Sequence, residues 1–275
     1  MRRQTRFIKH VRWSKLSSLS EYEQIVFVVG CQRSGTTLVL NCFENDHRTI
    51  VFRDESELSG FRDNRLRLKP YIEVAQILAK TRCPLIVSKP LLDSQRTLEL
   101  LEQYPRSKAL WILRNYLGVV GSSLRKFSGQ IENVRRVLEE PDDWRAEGCS
   151  DETRNFIRRF YSTEMRREDA AALMWLSRNQ LFFDNNLHQS ERVAMLRYED
   201  LVNQSDSLLR NVYEFLNLGY PSYRISKLIH RRSLSRGKTI ELQPKIRAKC
   251  ERLQTELIKH CLSDQCVDQS VKEPK

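Results

Sequence analysis

The sequence predicts an α/β fold, a three-layer sandwich with a central, mostly parallel sheet and an anion-binding loop. Three observations point to it. Short β-branched runs alternate with longer segments of helical periodicity, as strands joined by crossover helices do. The run IVFVV, 25–29, is apolar throughout instead of alternating, which marks a strand buried on both faces. That strand passes directly into a glycine loop and a helix: VVGCQRSGTT, 28–37, carries Gly30 and Gly35 five apart, then Thr36 and Thr37.

The elements follow in order. TLVLNCFEN, 37–45, continues from the loop as a helix, and TIVF, 49–52, is a second, weaker strand. PYIEVAQILAK, 70–80, has helical spacing, with Pro70 suited to a first turn. PLIVS, 84–88, is a strand, and DSQRTLELLEQY, 93–104, a helix with a leucine face and Asp93 as its cap. KALWILR, 108–114, is a strand ending on Arg114, and YLGVVGSSLRKF, 116–127, is the helix after it. Residues 128–168 are rich in charge and poor in apolar side chains, the composition of a surface insertion with short helices and mobile links. An apolar helix from Asp169, a last strand at 192–197, and a helix near 205–216 come next. A basic loop spans 220–243, and an amphipathic helix closes the chain over 244–262. No internal repeat interrupts this order, so residues 1–275 read as one domain with a basic arm over 1–22.

The formal charge of +12 raises the local concentration of anions. No basic motif interleaved with aromatic residues accompanies that charge, so nucleic acid is not an expected partner. Seven cysteines in no regular spacing argue against zinc and for reduced thiols in a cytosolic protein, although Cys250, Cys261 and Cys266 could pair in an oxidising compartment. No apolar run is long enough to span a membrane. The expected location is the cytoplasm, with the basic arm as one means of touching an anionic membrane surface.

The loop is nearly the phosphate loop G-x-x-x-x-G-K-[ST], but Thr36 stands where that motif has Lys. Arg33 lies inside it instead. Amide groups exposed by a glycine turn at a helix N-terminus form an anion site, to which Arg33 adds a charge and Ser34, Thr36 and Thr37 add hydroxyls. The strand at 84–88 runs straight into Lys89 and that at 108–114 ends on Arg114, and neither meets the carboxylate a nucleotide-bound metal needs. This favours an anion balanced by Lys and Arg, without a metal.

QRSGTTL, 32–38, resembles the 5′-phosphosulfate loop of the sulfotransferases that use 3′-phosphoadenylyl sulfate (PAPS). WILRNYLGVVGSSLRKF resembles that family's second motif, with Arg114 and Ser122 at the spacing of the pair that holds the 3′-phosphate; Lys126 lies one helical turn beyond Ser122. RYEDLVNQSDSLLRNVYEFLNL, 197–218, is similar to a third segment, which implies that Tyr198 lies near the adenine. SRGKT, 235–239, is similar to the loop that closes over the 3′-phosphate, through Arg236, Gly237 and Lys238. The resemblance covers about 25–127 and 192–262. It implies sulfuryl transfer from PAPS, with adenosine 3′,5′-bisphosphate (PAP) as product, to a hydroxyl or amine.

The resemblance places Arg33, Ser34, Gly35, Thr36, Thr37 and Leu38 around the 5′-phosphosulfate, with Arg33 and Lys89 stabilising the transferring group. The chain departs from the cytosolic members, which have a His just beyond the strand that ends here in Ser88-Lys89, and usually Trp where Leu38 stands. It sits nearer the bacterial, carbohydrate and protein branches. Protein-tyrosine sulfotransferases use a Glu some twenty residues after the loop, and VFRDESEL offers Glu55 there, with Asp54 and Glu57 as rivals. The resemblance implies an acceptor that is a sugar, lipid, small molecule or protein tyrosine, with its pocket expected from 53–70 and 128–168. Arg and Lys within 53–70 suit an anionic or polar acceptor better than a steroid. A catalytically silent nucleotide-binding relative and a P-loop kinase are the other readings, and a homodimer is left open.

Overall fold

The computed structural model describes residues 24–60, 66–227, 229 and 240–262. Among these residues the strands are β1 (Gln24–Gly30), β2 (Thr49–Phe52), β3 (Leu85–Ser88), β4 (Ser107–Leu113) and β5 (Val193–Arg197). All neighbours pair in parallel, in the order β2-β3-β1-β4-β5. The helices are α1 (Thr36–Glu44), α2 (Tyr71–Leu78), α3 (Thr97–Gln103), α4 (Tyr116–Lys126), α5 (Gln130–Glu139), α6 (Asp151–Arg158), α7 (Arg167–Asp184), α8 (Tyr198–Asn203), α9 (Ser205–Phe215) and α10 (Pro244–Ile258).

The unbroken apolar run of β1 now has its cause. Successive side chains point to opposite faces of a sheet covered on both sides. Ile25, Phe27 and Val29 enter one core, with Ala109, Trp111 and Leu113 of β4 and residues of α4, α7 and α10. Val26 and Val28 enter the other, with Val39, Leu40 and Phe43 of α1 and Leu208, Leu209 and Val212 of α9. A polar residue at either parity would be buried without a partner.

Three expectations change on folding. Residues 128–168 are not a surface appendage. Their sparse apolar residues face one way, so Val134, Val137, Ala146 and Ile157 are fully buried and join the larger core. Asp93 does not cap a helix at 93–104, because a 3₁₀ turn at Leu91–Arg96 comes first and α3 begins only at Thr97. The Asp93 carboxylate accepts instead from Arg67 Nε at 2.8 Å and from the Leu68 amide at 2.8 Å. β5 is followed at once by α8, a short helix that starts on Tyr198. The six described cysteines are free thiols.

The topology sets the position of the site. From β1 the chain passes outward to β2, returns to β3 beside β1, and crosses to β4 on the other side. Such a reversal opens a crevice at the carboxyl ends of the central strands. Gly30, Lys89 and Arg114 stand at those ends, on β1 or one residue past β3 and β4.

Candidate active site

The loop after β1 is held from below by Ser94. The Gly30 amide donates to Ser94 Oγ at 3.0 Å, and the Ser94 hydroxyl lies 3.2 Å from the Gly30 carbonyl and 2.8 Å from that of Leu91. Gly30 has φ +116°, and a Cβ there would meet the Ile112 carbonyl oxygen of β4 at 3.0 Å. Gly35 ends the loop in the left-handed region, at φ 98° and ψ 12°, and caps α1. Leu38 and Val39 donate the first bonds of that helix, both to the Gly35 carbonyl. The amides just before them have no intrahelical acceptor and form the positive end of the helix.

Arg33 is also left-handed, with φ 69°, and its exposed side chain turns toward α4, where Nε donates to Ser122 Oγ at 3.1 Å. Burial of its inner part and the nearby charge of Arg125 hold its pKa below the ordinary guanidinium value. An anion beside Arg33 would relieve that like-charge crowding.

Arg114 closes the arrangement. Its Nη1 donates to the Arg33 carbonyl at 3.1 Å, and its guanidinium lies 4.4 Å from the centre of the Tyr198 ring. The ring in turn lies against Gly35, so that a Cβ added there would come within 2.2 Å of it. Arg33, Ser122, Arg114, Tyr198 and Gly35 come from three separate segments and form one continuous set of contacts. Gly118 is small because the Arg114 side chain crosses it; a Cβ there would stand 3.0 Å from Arg114 Nε. Trp175 Nε1 fixes the Arg114 carbonyl at 3.0 Å, and Glu199 accepts from the Asn115 amide at 3.1 Å. Ser94, Gly118, Trp175 and Glu199 were not singled out from the sequence. Only Gly118, a helix-breaking residue inside a helical pattern, gave a signal there.

On the opposite side, the buried Lys89 ammonium donates to Asp54 Oδ2 at 2.9 Å and to Thr37 Oγ1 at 3.4 Å. Asp54 is therefore engaged with a cation. Glu55, next to it, has φ 64°, a conformation that costs a non-glycine residue energy and occurs where the surroundings impose it. Both carboxylates line the same cavity as the loop, whereas Glu57 does not.

That cavity measures about 1880 Å³. It is bordered by Arg33, Gly35, Thr36, Thr37, Leu38, Glu55, Lys89, Arg114, Ser122, Lys126 and Tyr198, and by segments from 53–69 and 127–145. Ser34 differs from the reading of it as a donor: it is fully buried, with its hydroxyl beside the Cys31 thiol, and the cavity wall does not include it. Arg236, Gly237 and Lys238 lie outside the described residues. Among the described residues no helix is long and apolar enough to cross a membrane.

A parallel α/β sheet with a cationic glycine loop at its switch point defines an anion-binding α/β architecture. The sulfotransferase domain model matches residues 23–265, and the chain belongs to that family. Similar folds include the sulfotransferase domain from the curacin biosynthetic pathway, with a TM-score of 0.50, 18% identity, and coverage of 87% of this chain and 99% of that one. A sulfotransferase from Alicyclobacillus acidocaldarius has a TM-score of 0.50 and 13% identity, covering 86% of this chain and 96% of that one. No curated protein sequence matches the chain. Family and fold together support sulfotransferase activity.

Proposed function

We propose that the protein transfers a sulfuryl group from PAPS to a hydroxyl or amine, and that Arg33 and the amides opening α1 hold the 5′-phosphosulfate. The single observation that carries this is the contact set joining Arg33, Ser122, Arg114, Tyr198 and Gly35. It unites the glycine loop with two distant motifs and offers cations, a hydroxyl and an aromatic ring to one cavity.

PAPS supplies the sulfuryl group and a leaving bisphosphate; the chain supplies the charge that both need as the bond breaks. Arg33 and the first amides of α1 face the phosphosulfate, and Lys89 adds charge from the end of β3. Arg114, Ser122 and Lys126 bind the 3′-phosphate, and Tyr198 borders the adenine. Thr36, Thr37 and Leu38 complete the wall. The acceptor's proton passes to the Glu55 carboxylate as its oxygen or nitrogen bonds to sulfur. Glu55 is preferred over Glu57 because Glu57 is not on the cavity wall, and Asp54, which lines the wall and is bonded to Lys89, is its rival.

The first test is binding of PAP by calorimetry, followed by transfer of labelled sulfate from PAPS. PAP binding without transfer to any acceptor class favours the silent relative. Ser122→Ala should reduce discrimination between PAP and adenosine 5′-phosphate by roughly tenfold, since one hydrogen bond to a charged phosphate is removed. Unchanged discrimination removes Ser122 from the 3′-phosphate site. Glu55→Gln should lower kcat by roughly 10²–10⁴-fold while PAP binds normally. Turnover within about threefold of the parent protein would transfer the role of base elsewhere, since general-base catalysis contributes more than that.

A further inference from the structure

The cavity extends well beyond the nucleotide-facing residues, and its far wall holds a buried cation with no part in the donor site. Ala171, Met174, Trp175 and Arg178 of α7 all line it. Their spacing of three, one and three residues puts them on one face of that helix. The stripe is apolar until it ends on Arg178, which is only 4% exposed.

Arg178 is bonded to neutral groups alone. Its Nη2 donates to Gln95 Oε1 at 3.0 Å and its Nη1 to the Trp144 carbonyl at 3.4 Å, with the guanidinium 5.0 Å from the centre of the Trp144 ring. The carboxylate whose field reaches it, Glu147, is already committed to Arg67, Arg96 and the Gln95 amide. Arg145 is paired with Asp143 at 2.9 Å. The other groups facing Arg178 are the thiols of Cys31 and Cys149, whose pKa values burial raises to about 12 and about 11, so they are neutral. Burial without a counter-ion lowers the Arg178 pKa to about 10, still charged at neutral pH. A guanidinium buried on this scale is ordinarily paired with an anion.

We infer that Arg178 binds an anionic group on the acceptor: the acceptor is a small hydroxylated molecule that also carries an oxyanion, with a carboxylate fitting the planar guanidinium best. This rests on the sulfotransferase reading and names the class of molecule that the acceptor half of the site takes. The reach is suitable. Lys89 marks the transfer end, Gln95 holds Arg178, and the 3₁₀ turn between them spans on the order of 10 Å. Leu91, Leu92, Met174 and Trp175 provide an apolar wall along that interval.

The test uses the full chain saturated with PAP and two matched pairs of probes, 4-hydroxyphenylacetate against its amide and glucuronate against glucuronamide. Glucose 6-phosphate serves as the tetrahedral alternative. Binding is read by calorimetry, and sulfate transfer from labelled PAPS is read alongside. The expected result is that at least one acid binds roughly tenfold or more tightly than its amide, the scale of a charged hydrogen-bonded pair. Arg178→Gln removes that ratio, and Arg178→Lys keeps part of it. A structural role for Arg178, through Trp144 and Gln95, would weaken acid and amide equally and leave the ratio intact, which overturns the inference. So would acid and amide binding alike to the parent protein, a comparison that needs no variant to fold. A preference for glucose 6-phosphate over both acids keeps the anion and replaces carboxylate by phosphate. If PAP binds but none of these probes does, the acceptor inference fails and the donor site stands. If PAP itself does not bind, the sulfotransferase reading fails first.

Discussion

Arg33→Ala cuts transfer severely while leaving the fold in place: kcat/KM falls by roughly 10²–10³-fold, the loss typical when one preorganised donor to a developing charge is removed. The side chain is exposed, and its described hydrogen bond goes to the Ser122 hydroxyl, so Tm moves by about 2 °C or less. The backbone sharpens the test. With φ 69°, position 33 is left-handed in the parent protein and in the alanine variant alike. Arg33→Gly relieves that strain, so it should be at least as stable as Arg33→Ala and equally inactive. Arg33→Lys keeps the charge but not the planar fork, and should recover part of the rate. Sulfate transfer from labelled PAPS and thermal melting of the three variants measure both quantities. Near-normal turnover in Arg33→Ala would detach this residue from the phosphosulfate.

The central strands were legible because parallel, doubly covered strands leave an unambiguous apolar signal, and 25–29, 84–88 and 108–114 carried it. Residues 128–168 did not. Their buried residues, Val134, Val137 and Ile157, are so widely spaced among charges that composition outweighs pattern, and only packing against α7 gives them an interior to face. Within the site, each motif could be read locally: the glycine loop, the Arg114–Ser122 spacing, and Tyr198 after a strand. The contacts that join them could not. Nothing in the sequence says that Arg33 reaches Ser122 or that Asp54 is engaged with Lys89. The left-handed backbone at Arg33 and Glu55 is equally hidden, because neither is a glycine. Arg178 lies in an apolar helical run, where one arginine resembles an ordinary polar position until the fold buries it.

Gly35→Ala should disable the site by another route, through the backbone. The left-handed conformation at φ 98° costs an alanine about 1–2 kcal/mol. The new Cβ would also stand 2.2 Å from Cδ2 of Tyr198, a buried ring that has to move. Overpacking of this kind adds about 1–3 kcal/mol, so Tm falls by roughly 5–10 °C. The displacement does not stop at the ring. Arg114 lies over Tyr198 and donates to the Arg33 carbonyl, so a shifted ring loosens the cation assigned to the 3′-phosphate and the loop that carries Arg33. PAP affinity should therefore drop by more than about tenfold, the equivalent of one lost charged contact. A double-mutant cycle separates the two causes. In the Gly35→Ala background, Tyr198→Ala removes the clash and should cost far less stability than it does alone, whereas the backbone strain persists in both. Additive losses would mean that Gly35 is needed for its φ and not for the passage of the ring. If strain and clash both operate, the second glycine of the loop does two things at once: it turns the chain into α1, and it leaves room for the aromatic ring that holds Arg114 in position.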